Sequence, residues 1–183
     1  HYSYADGKSY SGDWKEGIQD GIGTFETEEI LYFGSLANGS VNGYGEVLYK
    51  NSGDIYYGDF EESIKSGTGT YLFEDGNSYQ GEFVNDLFNG VGVFTFNDGT
   101  EYKGDFYNGK IYGEGSLYLI ENDETLVFTA VCEGGNKFPD QASILFPNGD
   151  LYEGPIINGK PTAEGKWTTE EEREREESGE IID

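Results

Sequence analysis

The sequence is poor in the residues on which most catalytic and metal sites depend. One cysteine, Cys132, and one histidine, His1, occur among 183 residues. A single cysteine excludes an internal disulfide framework and fits a reducing compartment. No His-Glu-x-x-His, Gly-x-Ser-x-Gly or Cys-x-x-Cys motif and no complete calcium loop occurs, so we expect no enzymatic activity, no metal site and no cofactor.

Arginine is also missing from most of the chain. Both arginines lie within residues 168–183, whereas 36 acidic residues give the whole chain a net charge of -25. Arginine is the side chain that holds phosphate groups through two parallel hydrogen bonds. The sequence therefore predicts no nucleic-acid partner, and its charge opposes contact with an anionic membrane.

Prolines and long apolar runs are scarce, while glycine and aromatic residues are abundant. No run approaches the roughly 18 apolar residues of a membrane-spanning helix, and four prolines are too few for a collagen-like segment. Twenty-nine glycines stand beside 15 tyrosines and 12 phenylalanines. Because aromatic residues favour strands and glycine favours turns, this composition predicts an all-β chain.

A tyrosine-based unit recurs along the chain. Seven copies of the pattern Tyr-x-Gly-x-(aromatic or aliphatic), two of them degenerate, follow one another at intervals of 22 to 26 residues. A nearly constant period in this range is typical of repeat arrays. The copies are Tyr10-Gly12-Trp14, Tyr32-Gly34-Leu36, Tyr56-Gly58-Phe60, Tyr79-Gly81-Phe83, Tyr102-Gly104-Phe106, Phe128-Ala130-Cys132 and Tyr152-Gly154-Ile156.

Each copy is predicted to be a β-hairpin. Most periods contain a Gly-x-Gly pair, and several end in a dipeptide such as Asp75-Gly76, which suits a tight hairpin turn. Side chains alternate between the turns, so Tyr10, Gly12 and Trp14 should share one face. Without helices between the hairpins, the strands should form an elongated, single-layer antiparallel meander. We expect each glycine to leave a space for a ring of the neighbouring repeat.

The complete unit, Tyr-x-Gly-x-(Trp/Phe)-x-x-Gly-x-x-x-Gly-x-Gly from Tyr10 to Gly23, resembles the MORN repeat. The resemblance covers residues 1–167 in about seven copies. The array opens with a truncated copy ahead of Tyr10, because HYSYADG matches the end of a repeat. The sixth, IENDETLVFTAVCEGGNKFPDQ, is degenerate and predicts a loop. Unlike many MORN repeats, this chain has no basic residue directly before any of its five Gly-x-Gly pairs.

Residues 168–183 form an acidic tail, which holds eight acidic residues and two arginines. Thr169 stands three residues before Glu172, as in the capping box that opens a helix. Two alternatives remain for this segment, a short acidic helix and a disordered tail.

One acidic position recurs on the strand face opposite the tyrosines, and several apolar residues have the same parity. We predict that this face binds a basic amphipathic segment of a partner. Two alternatives are a solvated acidic face and a partner groove on the ring-lined face. The predicted partner-binding residues are Phe33, Tyr57, Leu72, Asp59, Glu82 and Asp105.

These observations predict a non-enzymatic scaffold that binds other proteins. In layout and charge the chain is similar to the MORN subunits of the ciliary radial spoke head. That similarity implies a cytoplasmic protein of the cytoskeleton, in the axoneme of a cilium or flagellum. The resemblance to MORN repeats leaves two alternatives, a phospholipid-associated module apposed to a membrane and the targeting domain of a larger enzyme. Unpaired edge strands at the array ends favour self-association.

Overall fold

The computed structural model of the protein describes residues 1–121, 124–132, 142–146, 148–157 and 160–178. Strands dominate these residues, and one short helix, α1 (Glu170–Ser178), follows them. Within this part of the chain no helix has the length and apolar character needed to cross a bilayer. The strands are β1 (Tyr2–Ser3), β2 (Ser9–Lys15), β3 (Ile18–Glu26), β4 (Ile30–Ala37), β5 (Ser40–Tyr49), β6 (Ile55–Glu61), β7 (Ile64–Leu72), β8 (Ser78–Val84), β9 (Leu87–Thr95), β10 (Glu101–Tyr107), β11 (Lys110–Glu121), β12 (Glu124–Cys132), β13 (Ala142–Leu145), β14 (Leu151–Gly154), β15 (Ile156–Ile157), β16 (Lys160–Pro161) and β17 (Lys166–Thr168).

The chain divides into two compact units, His1–Gly90 and Val91–Asp183. In the first unit each strand pairs antiparallel with the next strand in the sequence. The second unit follows the same rule from β10 to β14, after which β14 pairs with β17, and β15 and β16 form a separate two-stranded sheet. The predicted all-β fold, a meander of hairpins, is therefore confirmed.

Glycines form a continuous row across the strands of the first unit. The cross-strand partners in this row are Gly12, Gly23, Gly34, Gly45, Gly58, Gly69 and Gly81. A second row, two residues away on each strand, consists of Tyr10, Phe25, Tyr32, Val47, Tyr56, Tyr71 and Tyr79. Residues two apart on a strand point to the same side, so both rows lie on one face, which we call the ring face. The opposite side is the outer face.

Each repeat tyrosine lies over the glycines of its own hairpin. A Cβ atom added at Gly69 would come within 2.6 Å of the Tyr56 ring. The Tyr56 hydroxyl donates a hydrogen bond to the Asp59 carbonyl at 2.9 Å, and Tyr10, Tyr32 and Tyr79 make the equivalent bond. The expectation that a neighbouring repeat's ring fills the space above the glycines was therefore wrong. The space is filled locally, because the ring reaches both the glycine two residues away on its own strand and the cross-strand partner of that glycine.

Contacts between repeats come from the third position of each unit. Phe60 packs edge-on against Tyr56 of its own repeat and Tyr32 of the preceding one, with ring centroids 5.1 and 5.7 Å apart. Phe83 makes the same two contacts, at 5.3 Å to Tyr79 and 4.9 Å to Tyr56. Edge-to-face aromatic pairs at these distances stabilise the fold beyond the area they bury. Neighbouring hairpins are thus joined ring to ring.

The second unit repeats this arrangement with changes in its later hairpins. Tyr102 is fully buried and lies over Gly104 and Gly115. The segment predicted to be a loop contains the strand β12, in which Ala130 stands opposite Gly115. The predicted loop does not lie over these residues, where the degenerate copy Phe128-Ala130-Cys132 forms the strand expected of each copy. Residues 133–141 of that segment lie outside the described residues.

The acidic tail contains α1, which begins with the capping box expected from the sequence. The Thr169 amide donates to the Glu172 carboxylate at 2.9 Å, and the Glu172 amide donates to the Thr169 hydroxyl at 3.3 Å. The helix also contacts the turn before β14, where Arg173 donates to the Gly149 carbonyl at 2.8 Å. Reciprocal capping and this turn contact hold the helix start against the last hairpin.

Candidate partner-binding surface

Five of the six predicted partner-binding residues lie in the first unit, on its outer face. Phe33 pairs with Glu46, and Glu46 pairs with Tyr57, so these three form one cross-strand row. Phe33 is 57% exposed, whereas Tyr57 is half-buried. Leu72 is half-buried in the adjacent row and pairs with Ile55. The apolar part of the predicted surface is therefore centred on Phe33.

The three predicted acids occupy equivalent places in their hairpins. Asp59 pairs with Tyr44, and Glu82 pairs with Thr68. Asp105 belongs to the second unit, where it pairs with Tyr112. The structure thus brings Asp59 and Glu82 onto the outer face of the first unit and describes Asp105 in the other unit.

The recurring acid also has a local role within the hairpin. The ladder is irregular after the central glycine of the tyrosine strand, and the returning strand has a glycine with positive φ there, such as Gly67 at 76°. The Asp59 carboxylate accepts hydrogen bonds from the Thr68 amide and the Thr68 hydroxyl, both at 3.1 Å. Asp13 accepts one from the Ile22 amide at 3.0 Å. These bonds orient the carboxylates and leave further lone pairs free for a partner.

Two exposed residues of the outer face were missed by the sequence analysis. Ile22 and Tyr44 are 50% and 61% exposed, and each stands between the two glycines of a Gly-x-Gly pair. The signal was available, because the second glycine of each pair faces a ring and the residue directly before it must face outward. Ile22 and Tyr44 lie on the strands that flank β4, two residues from the partners of Phe33. We call Ile22, Phe33 and Tyr44 the outer patch.

The surroundings of the outer patch are acidic. The outer-face rows that contain the patch also carry Asp13, Glu46, Asp59 and Glu82, and no lysine. Over residues 1–90 there are sixteen acidic residues against four lysines and no arginine. Among the described residues, no group of three or more histidine, cysteine or acidic side chains is arranged to hold a metal ion. The surface combines exposed apolar area with a strong negative potential.

The ring face offers less free aromatic surface. Its repeat tyrosines are nearly inaccessible, with Tyr56 at 0% and Tyr32 at 2% exposure. Burial raises the pKa of Tyr32 to about 12, and it also raises the pKa of Tyr56. Lys65 fills part of this face, with its ammonium 5.2 Å from the Tyr49 ring centroid and 5.4 Å from that of Tyr71. The Lys65 ammonium group therefore occupies the space beside the Tyr49 and Tyr71 rings, where a basic residue of a partner could otherwise bind.

One carboxylate beside Lys65's aromatic neighbours is held in its ionised form. Burial alone would raise the pKa of Asp54, but hydrogen bonds to its carboxylate outweigh burial and lower it. The donors are the Glu74 amide at 3.0 Å and the Tyr71 hydroxyl at 2.8 Å. These bonds tie the residue before β6 to β7 and to the turn that follows it.

A cleft of about 430 Å³ lies beside β1, lined by Tyr2, Tyr4, Trp14 and Gly17. Trp14 is 43% exposed here and packs edge-on against Tyr10 at 5.1 Å. In the part of the chain that the structure describes, β1 pairs with β2 at only two positions. The remainder of β2 is an edge of the kind on which the predicted self-association depends.

Comparison with protein families agrees with this geometry. The family model of the MORN repeat matches residues 10–27, 56–78, 79–101 and 102–120, and a search of curated proteins finds no match. Two hairpins outside those segments keep the same contact, since the Tyr32 and Tyr152 hydroxyls donate to the Ser35 and Pro155 carbonyls at 2.9 and 2.6 Å. The MORN repeat is a non-catalytic interaction module. The chain therefore contains MORN repeats over these four segments.

Proposed function

We propose that this chain is a non-enzymatic scaffold that binds protein partners on the outer face of its MORN hairpins. The observation that carries the proposal is the outer patch, in which three large apolar side chains are each at least half exposed within an acidic surface. Exposed apolar clusters with a charged border mark interaction sites. The repeat tyrosines are already used inside the fold, so the outward residues are available for a partner.

The construction of the hairpins suits a scaffold. Each ring is fixed over its own glycines, and the third-position aromatics join one hairpin to the next. A partner would therefore meet side chains whose spacing is set by the strands beneath them. In two hairpins the acid is oriented in the same way, because Asp13 and Asp59 each accept a hydrogen bond from a backbone amide.

We place the scaffold in a cytoskeletal assembly, the radial spoke head of the ciliary axoneme, in the cytoplasm. Its support is the layout of the chain, a MORN array followed by an acidic tail that forms α1, together with a net charge of -25. The test is to isolate axonemes from a ciliated source and search their fractions by mass spectrometry. We expect the protein among the radial spoke proteins. Its absence from every axonemal fraction would refute this placement.

The protein-binding function has a separate test. The full chain, carrying an affinity tag, is isolated from its native cells in parallel with a Tyr57→Ala variant, and the bound proteins are identified by mass spectrometry. We expect defined partners with wild type and reduced recovery with Tyr57→Ala, because Tyr57 adjoins the outer patch through Glu46. Equal recovery of every partner by both proteins would place binding away from this face. Recovery of the chain alone would refute the function.

A further inference from the structure

We propose that the outer patch is a docking site for one basic amphipathic α-helix that lies across the strands of the first unit. The proposal rests on the protein-binding function above and adds the shape, direction and charge of the partner. It concerns Ile22 on β3, Phe33 on β4 and Tyr44 on β5, which are neighbouring strands.

The spacing of the patch fits the repeat of a helix. Neighbouring strands lie about 4.8 Å apart, so Ile22 and Tyr44, two strands apart, are separated by about 10 Å across the sheet. Seven residues of α-helix rise about 10.5 Å, and three or four residues rise about 4.5 to 6 Å. A helix perpendicular to the strands can therefore place apolar residues against Ile22, Phe33 and Tyr44 in succession, one for each strand.

The lateral arrangement of the patch also fits a helix. Phe33 lies opposite Thr24 on β3 and Glu46 on β5. Thr24 is two residues from Ile22, and Glu46 is two residues from Tyr44. Along the strand direction, Phe33 is therefore displaced by about 6.6 Å from both of the other patch residues. The patch is therefore a zigzag two side chains wide. Apolar residues of an amphipathic helix alternate between the two sides of its stripe in the same way.

An extended partner fits this arrangement less well. Side chains on one side of an extended segment recur about every 6.6 Å. Neighbouring strands of the sheet are about 4.8 Å apart and next-neighbours about 9.6 Å, so the two spacings do not match. Along β4 itself, the outward residues beside Phe33 are Leu31 and Ser35, both less exposed than Phe33. A segment that follows a single strand would thus bury one large exposed side chain, whereas a crossing helix buries three.

Charge complementarity makes the partner basic. Each apolar residue of the patch has an acid beside it: Glu46 is paired with Phe33, Asp59 is paired with Tyr44, and Asp13 accepts a hydrogen bond from the Ile22 amide at 3.0 Å. Lysine or arginine residues that flank the apolar stripe of a helix would meet these carboxylates. An acidic or neutral helix would leave them desolvated and unpaired, which is unfavourable.

The test uses the full chain and designed peptides of leucine and lysine, each about 21 residues long, or three heptads. One peptide has leucine at the heptad positions that form a single helical stripe. A second has the same composition in scrambled order, and a third alternates leucine with lysine as an extended segment would. Binding is measured by fluorescence anisotropy at about 150 mM salt, where long-range attraction is largely screened.

We expect the heptad peptide to bind at least about tenfold more tightly than either other peptide, because only its stripe matches the patch. Phe33→Ser and Tyr44→Ser should each weaken its binding by about tenfold or more. Val84→Ser is the matched control, since Val84 is an apolar residue of β8 that is 48% exposed and lies outside the patch. It should leave the affinity unchanged. Thermal unfolding of each variant verifies that it is folded.

A combined Asp13→Asn, Glu46→Gln and Asp59→Asn variant tests the charge. It should slow association and flatten its salt dependence while dissociation changes by less than about threefold, because border charges act mainly on encounter. These substitutions keep the oxygen that accepts the backbone hydrogen bonds, so the hairpins should remain intact.

The contradicting outcomes are distinct. Equal binding of heptad and scrambled peptides, or equal losses in Val84→Ser and Phe33→Ser, would show attraction by charge alone and overturn the docking site. Tighter binding of the alternating peptide than of the heptad peptide would overturn the proposal that the partner is a helix. If Phe33→Ser weakens the binding of the alternating peptide, the outer patch would still be a site that binds proteins. If no peptide responds to the patch variants but native partners are still recovered, the scaffold function survives and this proposal fails.

Discussion

At the scale of the residue, the fold depends on one contact between a tyrosine and two glycines. The ring of Tyr56 lies over Gly58 and Gly69, and its hydroxyl donates to the Asp59 carbonyl at 2.9 Å. The same contact recurs at Tyr10 and Tyr32. Because neither glycine has a side chain, a large ring can lie flat against the strands and be buried without a second sheet above it.

Gly69→Ala should therefore destabilise the protein. The backbone of Gly69 is not in the left-handed region, so the added methyl group acts by overlap with the Tyr56 ring, from which it would be 2.6 Å away. We expect a loss of about 1 to 3 kcal/mol in the free energy of unfolding, the usual effect of overpacking. Urea denaturation measures it.

The control for that variant is Gln80→Ala, an exposed change on the outer face of the neighbouring strand. It should alter the free energy of unfolding by no more than about 0.5 kcal/mol. If Gly69→Ala unfolds at the same urea concentration as wild type, the ring does not require the space above the glycine.

The buried tyrosines also predict a loss of stability in alkali. Burial raises the pKa of Tyr32 from 10.0 to about 12, so the folded protein keeps this hydroxyl neutral while the unfolded chain ionises it. Stability from this group is fully present below pH 10 and is lost as the pH rises towards about 12. Urea midpoints measured from about pH 9 to about pH 11.5 should fall, and Tyr32→Phe should reduce the fall. An identical pH dependence in both proteins would contradict this expectation.

At the scale of the element, each hairpin combines a structural and a candidate functional role in the same few residues. Asp59 orients its carboxylate by accepting bonds from Thr68, and it stands opposite the exposed Tyr44. Direct cross-strand pairing places the acid and this apolar residue on the same face. A substitution of the acid should retain its oxygen acceptor if binding is to be separated from folding.

The helix α1 provides a prediction at this scale, since its start depends on Thr169 and Glu172. Hydrogen bonds from the Thr169 amide and hydroxyl lower the pKa of Glu172 below 4.5. The stability that this carboxylate contributes is fully present above pH 4.5, the pKa in the unfolded chain. It is lost as the pH falls through the lowered pKa of the folded protein. An NMR titration of the Glu172 side chain should give a depressed pKa in wild type and in Thr169→Ser. The pKa should rise in Thr169→Val, and an unchanged value would show that the hydroxyl does not cap the helix.

At the scale of the whole molecule, charge dominates. Thirty-six acidic residues stand against eleven basic ones, and both arginines lie in the tail. Of the lysines, Lys50 is paired with Glu26 and Lys65 with Asp86. Little free positive charge remains in the first unit, so long-range attraction should favour basic partners and oppose anionic surfaces.

The full chain should consequently fail to sediment with vesicles that contain phosphatidylserine and phosphoinositides at about 150 mM salt. We expect the same fraction in the pellet with these vesicles as with neutral ones. A basic peripheral protein serves as the positive control. Salt-sensitive sedimentation of this chain with the anionic vesicles would contradict the expectation and favour the membrane-apposed alternative over a protein scaffold.

Much of this architecture was accessible from the sequence. The repeat period, the spaced glycines and the turn dipeptides predicted a meander of hairpins, because local geometry at glycine and the alternation of side chains along a strand are properties of the chain itself. The capping residues Thr169 and Glu172 predicted the start of α1 for the same reason. In the sixth copy, the loss of the motif glycines predicted a loop, but Glu124–Cys132 is a strand paired with β11 and β13, as the degenerate unit Phe128-Ala130-Cys132 indicates.

The candidate surface was also only partly predictable from the sequence. The sequence by itself determined which residues face outward, since parity along a strand places Phe33, Tyr57 and Asp59 together. Only the tertiary structure decided how exposed each residue is and which strands meet. Register and packing half-bury Tyr57 but leave Phe33, Ile22 and Tyr44 open, and they place the Tyr56 ring over glycines of its own hairpin. Exposure depends on contacts between strands that are distant in sequence, and no local pattern contains that information.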